Sequence, residues 1–232
     1  MTDAQEIPWK RIFVEAAAIV ASILLAFAID AWWQDRTERM VEVQYLQALR
    51  EDLLASLDIL DGDEESQRRQ VEYLESLLSA NGKTPYSDEL RLWIYDGLFN
   101  VGTYQPQISA LLDLESSGQA QIIQNPDIRR VLASVRQKID DMEVVNRDFQ
   151  LSQQMLIDPF LVDNFNLASL MLDRAGHSKT NLAVLGTSDF QSRVAFKISL
   201  RGEVSQAQNA VRVAFSEALE LIETELDTAN GP

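Results

Sequence analysis

Cysteine is absent from this chain, and histidine occurs once, at His177. Without thiols there is no disulfide framework and no thiolate nucleophile or ligand, and a lone imidazole cannot build a zinc or haem site of the ordinary kind. His177 stands between Gly176 and Ser178 in a polar stretch and reads as a solvated loop residue. Glycine and proline are sparse, 9 and 6 in 232 residues. The glycines are scattered at helix ends rather than gathered between a strand and a helix, which excludes a phosphate-cradling loop. Strand signals are nearly missing as well: only Val194 to Leu200 (VAFKISL) alternates, and its flanks on both sides are helical. Basic charge is the last shortage, with 20 Lys and Arg against 36 Asp and Glu and a net charge of −16. Such an excess of carboxylates repels phosphate backbones and anionic headgroups, so nucleic acid is not expected as a partner. No catalytic residue, cofactor site or metal site emerges, and an enzyme is not expected.

What is present is one long apolar run. Residues 12–33 read IFVEAAAIVASILLAFAIDAWW, and a membrane-spanning helix needs about 20 mostly apolar residues. Trp9, Lys10 and Arg11 on one side and Trp32 and Trp33 on the other are the residue types that hold the two water interfaces. The small-x-small triplet Ala26-Phe27-Ala28 also suits a cleavable secretory signal. Glu15 at the start of the run, and tryptophans bracketing a full bilayer thickness, favour an uncleaved single-pass anchor instead. A soluble core helix is disfavoured because no other segment is apolar enough to bury this one on every side. The expected layout is a short N-terminal tail (1–11), a transmembrane helix (12–33), a stalk with the first bundle helix (34–80), and the remaining helical domain (86–232). Lys10 and Arg11 abut the membrane, so the tail is expected in the cytoplasm and the acidic domain in the periplasm of a bacterial inner membrane.

Polar residues within the anchor share a side. At about 100° per residue, Glu15 and Asp30 fall roughly 60° apart round the helix and Ser22 about 20° from Glu15. Ala18, Ser22 and Ala26 place a small side chain at every fourth position along that face, the arrangement that lets spanning helices approach closely. A carboxyl group at membrane depth is costly unless it is neutral, paired or facing protein. Glu15, Ala18, Ser22, Ala26 and Asp30 are therefore expected to meet a second copy of the chain or another membrane subunit.

Beyond Trp33 the pattern is all-α. Leu46, Leu49, Leu53, Leu57 and Leu60 form an apolar stripe that continues the anchor helix outward as a stalk. Asp61 to Gln70 (DGDEESQRRQ) is polar on every side, which predicts a break or an exposed turn before the stripe resumes at Val71, Leu74 and Leu77. Ser87 caps a short helix carrying Leu90, Trp93, Ile94 and Leu98, and another runs from about Pro106 to a left-handed Gly118. Asn125-Pro126-Asp127 starts a long helix striped from Ile128 to Val145, ended or kinked at Pro159. Residues 155–172 read as buried core, and Ser188-Asp189-Phe190-Gln191 has the capping-box form before a last helix from Val204 to Leu226. Asp61, Asp63, Glu64 and Glu65 lack the alternating ligands, turn glycine and closing Glu of a calcium loop and read as a solvated run, as do Asp140, Asp141 and Glu143. The expected architecture is an antiparallel helical bundle on a stalk.

Glu15, the aliphatic run and Ile29 to Arg36 (IDAWWQDR) resemble the opening of an uncharacterised family of bacterial single-pass inner-membrane proteins. Leu114, Ser117-Gly118, Ile123, Asn125 and Arg129 are similar to a second stretch in that family's middle, with Ile128 in place of a Leu. Val14 stands where the family usually has Gly, and Asp30 and Ala31 replace its paired Asn. The resemblance implies an anchor and a helical soluble domain, and it brings no activity.

The functional expectation is a membrane-anchored scaffold or accessory protein, assembled through its anchor and binding a partner with its acidic domain. The alternative is a ligand-sensing helical domain. With about a dozen residues ahead of the anchor, its signal would pass to a separate membrane partner.

Overall fold

The computed structural model describes residues 9–172 and 181–230. Among the described residues all regular structure is helical and no strand occurs, the VAFKISL stretch included. Helix α1 (Trp9–Ser79) is continuous over 71 residues, ~107 Å at 1.5 Å per residue. Its two halves differ. Every residue from Ala17 to Glu38 is exposed, while from Glu42 onward one side is buried through Leu46, Leu49, Leu53, Leu60, Leu74 and Leu77. Among the described residues one helix, α1, is long and apolar enough to cross a membrane.

The break expected between Asp61 and Gln70 does not occur. The segment stays helical because its polar groups have partners on a neighbouring helix. Asp61 and Glu64 both pair with Arg212, and Gln67 Nε2 donates to Gln208 Oε1 at 2.6 Å. Glu65 accepts from Arg68 and Arg69 along α1 itself.

A crossover of short elements follows. Ser87 Oγ accepts from Leu90 N at 3.1 Å and caps α2 (Asp88–Leu92), which continues as a π-helical turn over Trp93–Phe99. An irregular segment then leads to α3 (Ser109–Ser116), which starts later than its sequence pattern suggests and stops at Gly118, φ +67°. Tyr104 and Ser56 staple this crossover to α1. The Tyr104 hydroxyl donates to Ser56 O at 2.9 Å, and Ser56 Oγ donates to Gln107 O and accepts from Gln107 N, both at 2.8 Å.

Helix α4 (Pro126–Ser152) begins as its sequence predicts, with Asn125 Oδ1 accepting from Asp127 N at 2.9 Å and Pro126 in the first turn. It passes into a second π-helical turn, Gln153–Ile157, before α5 (Asp158–Asn164), so Pro159 opens a new helix rather than ending the old one. Helix α6 (Leu167–Leu172) follows. The expectation that 155–172 is buried throughout is corrected: Ile157, Leu161, Phe165 and Leu170 are buried, whereas Met155 and Val162 are 73% and 61% exposed. Only one side of these short helices meets the core. Helix α7 (Ser188–Asn230) is capped one residue earlier than the capping-box pattern suggests, by Thr187, whose Oγ1 accepts from Phe190 N.

Helix α7 packs along α1 and along α4. Partners on α1 and α7 run in opposite order, Arg39 with Glu225, Arg50 with Glu223, Asp61 with Arg212 and Gln67 with Gln208, so the two helices are antiparallel. Two apolar clusters result. One joins Leu46 to Leu60, the first half of α4 and Val211 to Leu226; the other joins Leu74 to Ala80, the α2 region, α5 and Phe190 to Val194. Between them lies a buried layer that is largely polar.

Candidate functional site

The layer consists of Gln67 and Gln70 from α1, Asn146, Phe149 and Gln153 from α4 and its π-helical turn, and Lys197, Arg201 and Gln208 from α7. All occupy positions that the helix pattern assigns to the core. Along α7 the buried residues Val194, Lys197, Arg201, Val204, Gln208 and Val211 alternate steps of three and four, the spacing of a helix seam. Two cations have taken apolar seats.

Lys197 and Arg201 are each 1% exposed. Lys197 Nζ donates to Leu98 O, to Gln153 Oε1 at 2.8 Å and to Asn100 O at 3.3 Å. An ammonium has three donors, and three acceptors receive them. Arg201 donates from Nη1 to Gly102 O at 3.1 Å and from Nη2 to Asn100 O at 2.8 Å. The two cations therefore hold the carbonyls where the first π-helical turn ends, and Gln153, which reaches Leu98 O and Asp158 Oδ1 through Nε2, begins the second. π-helical turns are rare and concentrate at functional sites, and both of these meet at Lys197.

Neither cation has a carboxylate in direct contact among the described residues. Burial, together with the neighbouring Arg201 guanidinium, pushes the Lys197 ammonium down to about 7, against the pull of Asp158. Burial likewise pushes Arg201 down to about 10, partly offset by Asp63. Four buried polar atoms of the layer, Gln67 Oε1, Gln70 Oε1, Asn146 Oδ1 and Arg201 Nε, find no hydrogen-bond partner among the described residues. A buried polar atom left without any partner, water included, costs about 1–3 kcal/mol. A groove of about 850 Å³ opens beside it between α1 and α7, with Gln67 and Arg201 in its lining.

A second polar constellation lies where α1 first enters the packed domain. Glu42, fully buried, accepts from Arg39 and from Gln124 N at 2.6 Å. Arg39 also donates to Glu225 at 2.7 Å, and Glu225 accepts from Asn125 Nδ2 at 2.9 Å. The Asn125 and Arg39 hydrogen bonds hold the Glu225 carboxyl below its usual range. This clasp ties the start of the packed part of α1 to the α4 cap and to the last turns of α7. Asn125 and Arg129, singled out by the resemblance, both act here, Arg129 by donating to the carbonyls of Ile123 and Gln124.

The residues expected to form the anchor lie in the first half of α1. Glu15, Ala18, Ser22, Ala26 and Asp30 are exposed, and Ser22 Oγ donates to Ala18 O at 2.8 Å. Trp32 and Trp33 are exposed with ring centroids 6.3 Å apart, and the Arg36 guanidinium lies 5.9 Å from the Trp32 ring centre. Trp9, Lys10 and Arg11 fall within α1. His177 lies outside the described residues. Of the carboxylates set aside as solvated runs, Asp140 pairs with Arg136, Asp141 with Lys138, and Asp61, Glu64 and Glu65 pair as described above, while Asp63 accepts from Gln67 and Gln208.

Sequence reasoning missed the layer, because Gln67, Gln70, Lys197 and Arg201 read singly as solvent-facing. The usable signal was the unbroken three-and-four spacing that carries the apolar stripe straight through them. No family model matches the chain, and no curated protein or solved structure matches it significantly.

Proposed function

We propose that this chain is a non-enzymatic, single-pass protein of a bacterial inner membrane, held there by residues 12–33. Its acidic helical bundle stands on the periplasmic side as a scaffold or accessory domain for a partner. The observation that carries this reading is the continuity of α1: one helix is apolar and exposed over its first part and a member of the domain core over its second. A helix without a break transmits position, so whatever meets the anchor face is held in fixed register to the domain. Glu15, Ala18, Ser22, Ala26 and Asp30 form the assembly face, toward a second copy or another membrane subunit. Purification of the full chain in mild detergent, with identification of what accompanies it, tests the reading. A homo-oligomer or a stoichiometric membrane subunit is the expected result, and a monomer free of any companion in native-like membranes counts against it.

The buried layer favours a second reading, a sensing domain that signals through a separate membrane partner. Stability alone does not call for two buried cations and four unpartnered polar atoms, since apolar residues of similar volume are often as stable or more so. A layer that is costly in the resting fold is the kind of element a ligand shifts, because the ligand repairs what the fold leaves unpaired.

A further inference from the structure

Two residues of the groove between α1 and α7 carry an unmet need. Arg201, 1% exposed, has both terminal nitrogens engaged on the 100–102 carbonyls, which leaves Nε–H as a donor without a partner among the described residues. Gln67, 5% exposed, has its Nε2 engaged by Asp63 and Gln208, which leaves Oε1 as an acceptor without one. One donor and one acceptor, on facing helices, thus belong to buried residues that line one groove.

The groove also has room and a charge. Gly202 lines it in the interior of α7, where a glycine costs roughly 1 kcal/mol relative to alanine, and a side chain built there would meet nothing within 4 Å. Ser205 keeps the next turn small. Glu72 and Glu75 stand along the α1 wall, Glu72 acting on the Arg68 guanidinium through space. Arg212 occupies Asp61 and Glu64, and Arg68 and Arg69 occupy Glu65, which leaves Glu72 and Glu75 as the acidic part of the lining. An anion alone would be repelled at the mouth, and an amine alone would leave Arg201 unpaired.

We propose that this groove binds a basic α-amino acid. Its carboxylate accepts from Arg201 Nε, its α-ammonium donates to Gln67 Oε1, and its side-chain cation lies against Glu72 and Glu75 over the apolar stems of Val71 and Ile198. One carboxylate and two cationic groups match one buried donor, one buried acceptor and an acidic wall. Neither atom has exposed surface, so seating the ligand requires neighbouring side chains to move. The motion bears on Arg201, hence on the 100–102 carbonyls and the layer between the two apolar clusters. The proposal deepens the sensing reading and does not depend on assembly through the anchor.

Calorimetry on the full chain in mild detergent, with L-lysine and L-arginine as probes, tests it. Cadaverine lacks the carboxylate and norleucine lacks the side-chain ammonium, and each is expected to bind at least about tenfold more weakly than lysine, the loss of one well-placed polar contact. Arg201 variants risk unfolding, so the decisive variant is Gly202→Leu, which fills the groove from a position with open space. It should keep or raise the melting temperature and abolish binding. The double variant Glu72→Gln, Glu75→Gln should weaken lysine and leave norleucine unchanged. Absence of heat and of thermal shift with either amino acid at about 10 mM overturns the proposal, since a ligand of even millimolar affinity stabilises measurably at that excess. Cadaverine binding as well as lysine, or undiminished binding to Gly202→Leu, overturns it equally. The anchor-assembly reading is judged by oligomeric state and companions, so the two fail separately.

Discussion

Lys197 and Arg201 stand one turn apart on α7 and address the same ring: the Arg201 guanidinium carbon lies 4.3 Å from the centre of Phe149 and the Lys197 ammonium 5.8 Å from it. A π face substitutes weakly for a counter-ion, worth about 0.5–2 kcal/mol when water is excluded. Two like charges share it, and the backbone carbonyls of the crossover supply the rest of their solvation. Lys197 has an acceptor for each of its three donors, whereas Arg201 Nε has none among the described residues, and burial pushes both cations toward their neutral forms.

The first prediction concerns pH. The Lys197 value of about 7 lies below the 10.5 of an exposed lysine, so between the two the unfolded chain retains a proton that the folded chain has released. Stability should therefore be flat below about 7 and climb with pH above it, by at most ~1.4 kcal/mol per pH unit, less whatever the three acceptors restore to the charged form. Lys197→Met keeps the stem and removes the titration. Urea midpoints measured from about pH 6 to 9 should rise for the parent and run flatter for the variant; parallel profiles would refute a titrating Lys197.

The second concerns the clasp. Glu42→Ala removes the acceptor of Arg39 and Gln124 N and should destabilise by about 1–3 kcal/mol, chiefly because the Gln124 N–H loses its partner, while Arg39 keeps Glu225. Hydrogen exchange should show the 123–125 turn opening first. If amide protection there is unchanged, the clasp is not what fastens α4 to α1.

The third concerns a helix glycine. Gly62 sits inside α1 with nothing within 4 Å of a built side chain, so Gly62→Ala should stabilise by about 0.5–1 kcal/mol. A destabilised variant would mean that α1 is interrupted there in solution, contrary to its continuous helical passage through Asp61 to Gln70.

The fourth concerns the anchor face. Ser22 already bonds to Ala18 O, so its hydroxyl is not needed across a contact, and Ser22→Ala should be mild while Ser22→Leu blocks close approach. Glu15→Gln should also be mild, and Val20→Phe on the opposite side nearly silent. The chain has no cysteine, so single-cysteine variants cross-linked in native membranes report each position without background. Equal cross-linking for all four substitutions would reduce the segment to a simple tether.

How much of this was legible beforehand depends on which physical signal each part carries. The Asn125 cap, the Gly118 stop and the α7 stripe follow from local chemistry, and the structure has them where the residues put them. The path of α1 through Asp61 to Gln70 was misread because its polar side chains are satisfied by Arg212 and Gln208, some 140 residues away and invisible to a local window. The π-helical turns carry no local signal in this sequence. They arise where Lys197 and Gln153 draw carbonyls and side chains together across three elements.

The unbroken α1 is also a ruler. With Trp33 at the lipid surface and the helix upright, its 1.5 Å rise puts the Gln67 and Gln70 layer about 50 Å above the membrane and the end at Ser79 about 70 Å above it. Under the proposed anchoring, the lipid-embedded part of another subunit would not reach the layer at that height. A signal from it would then pass along α1 as a shift or rotation, or to a partner tall enough to reach it.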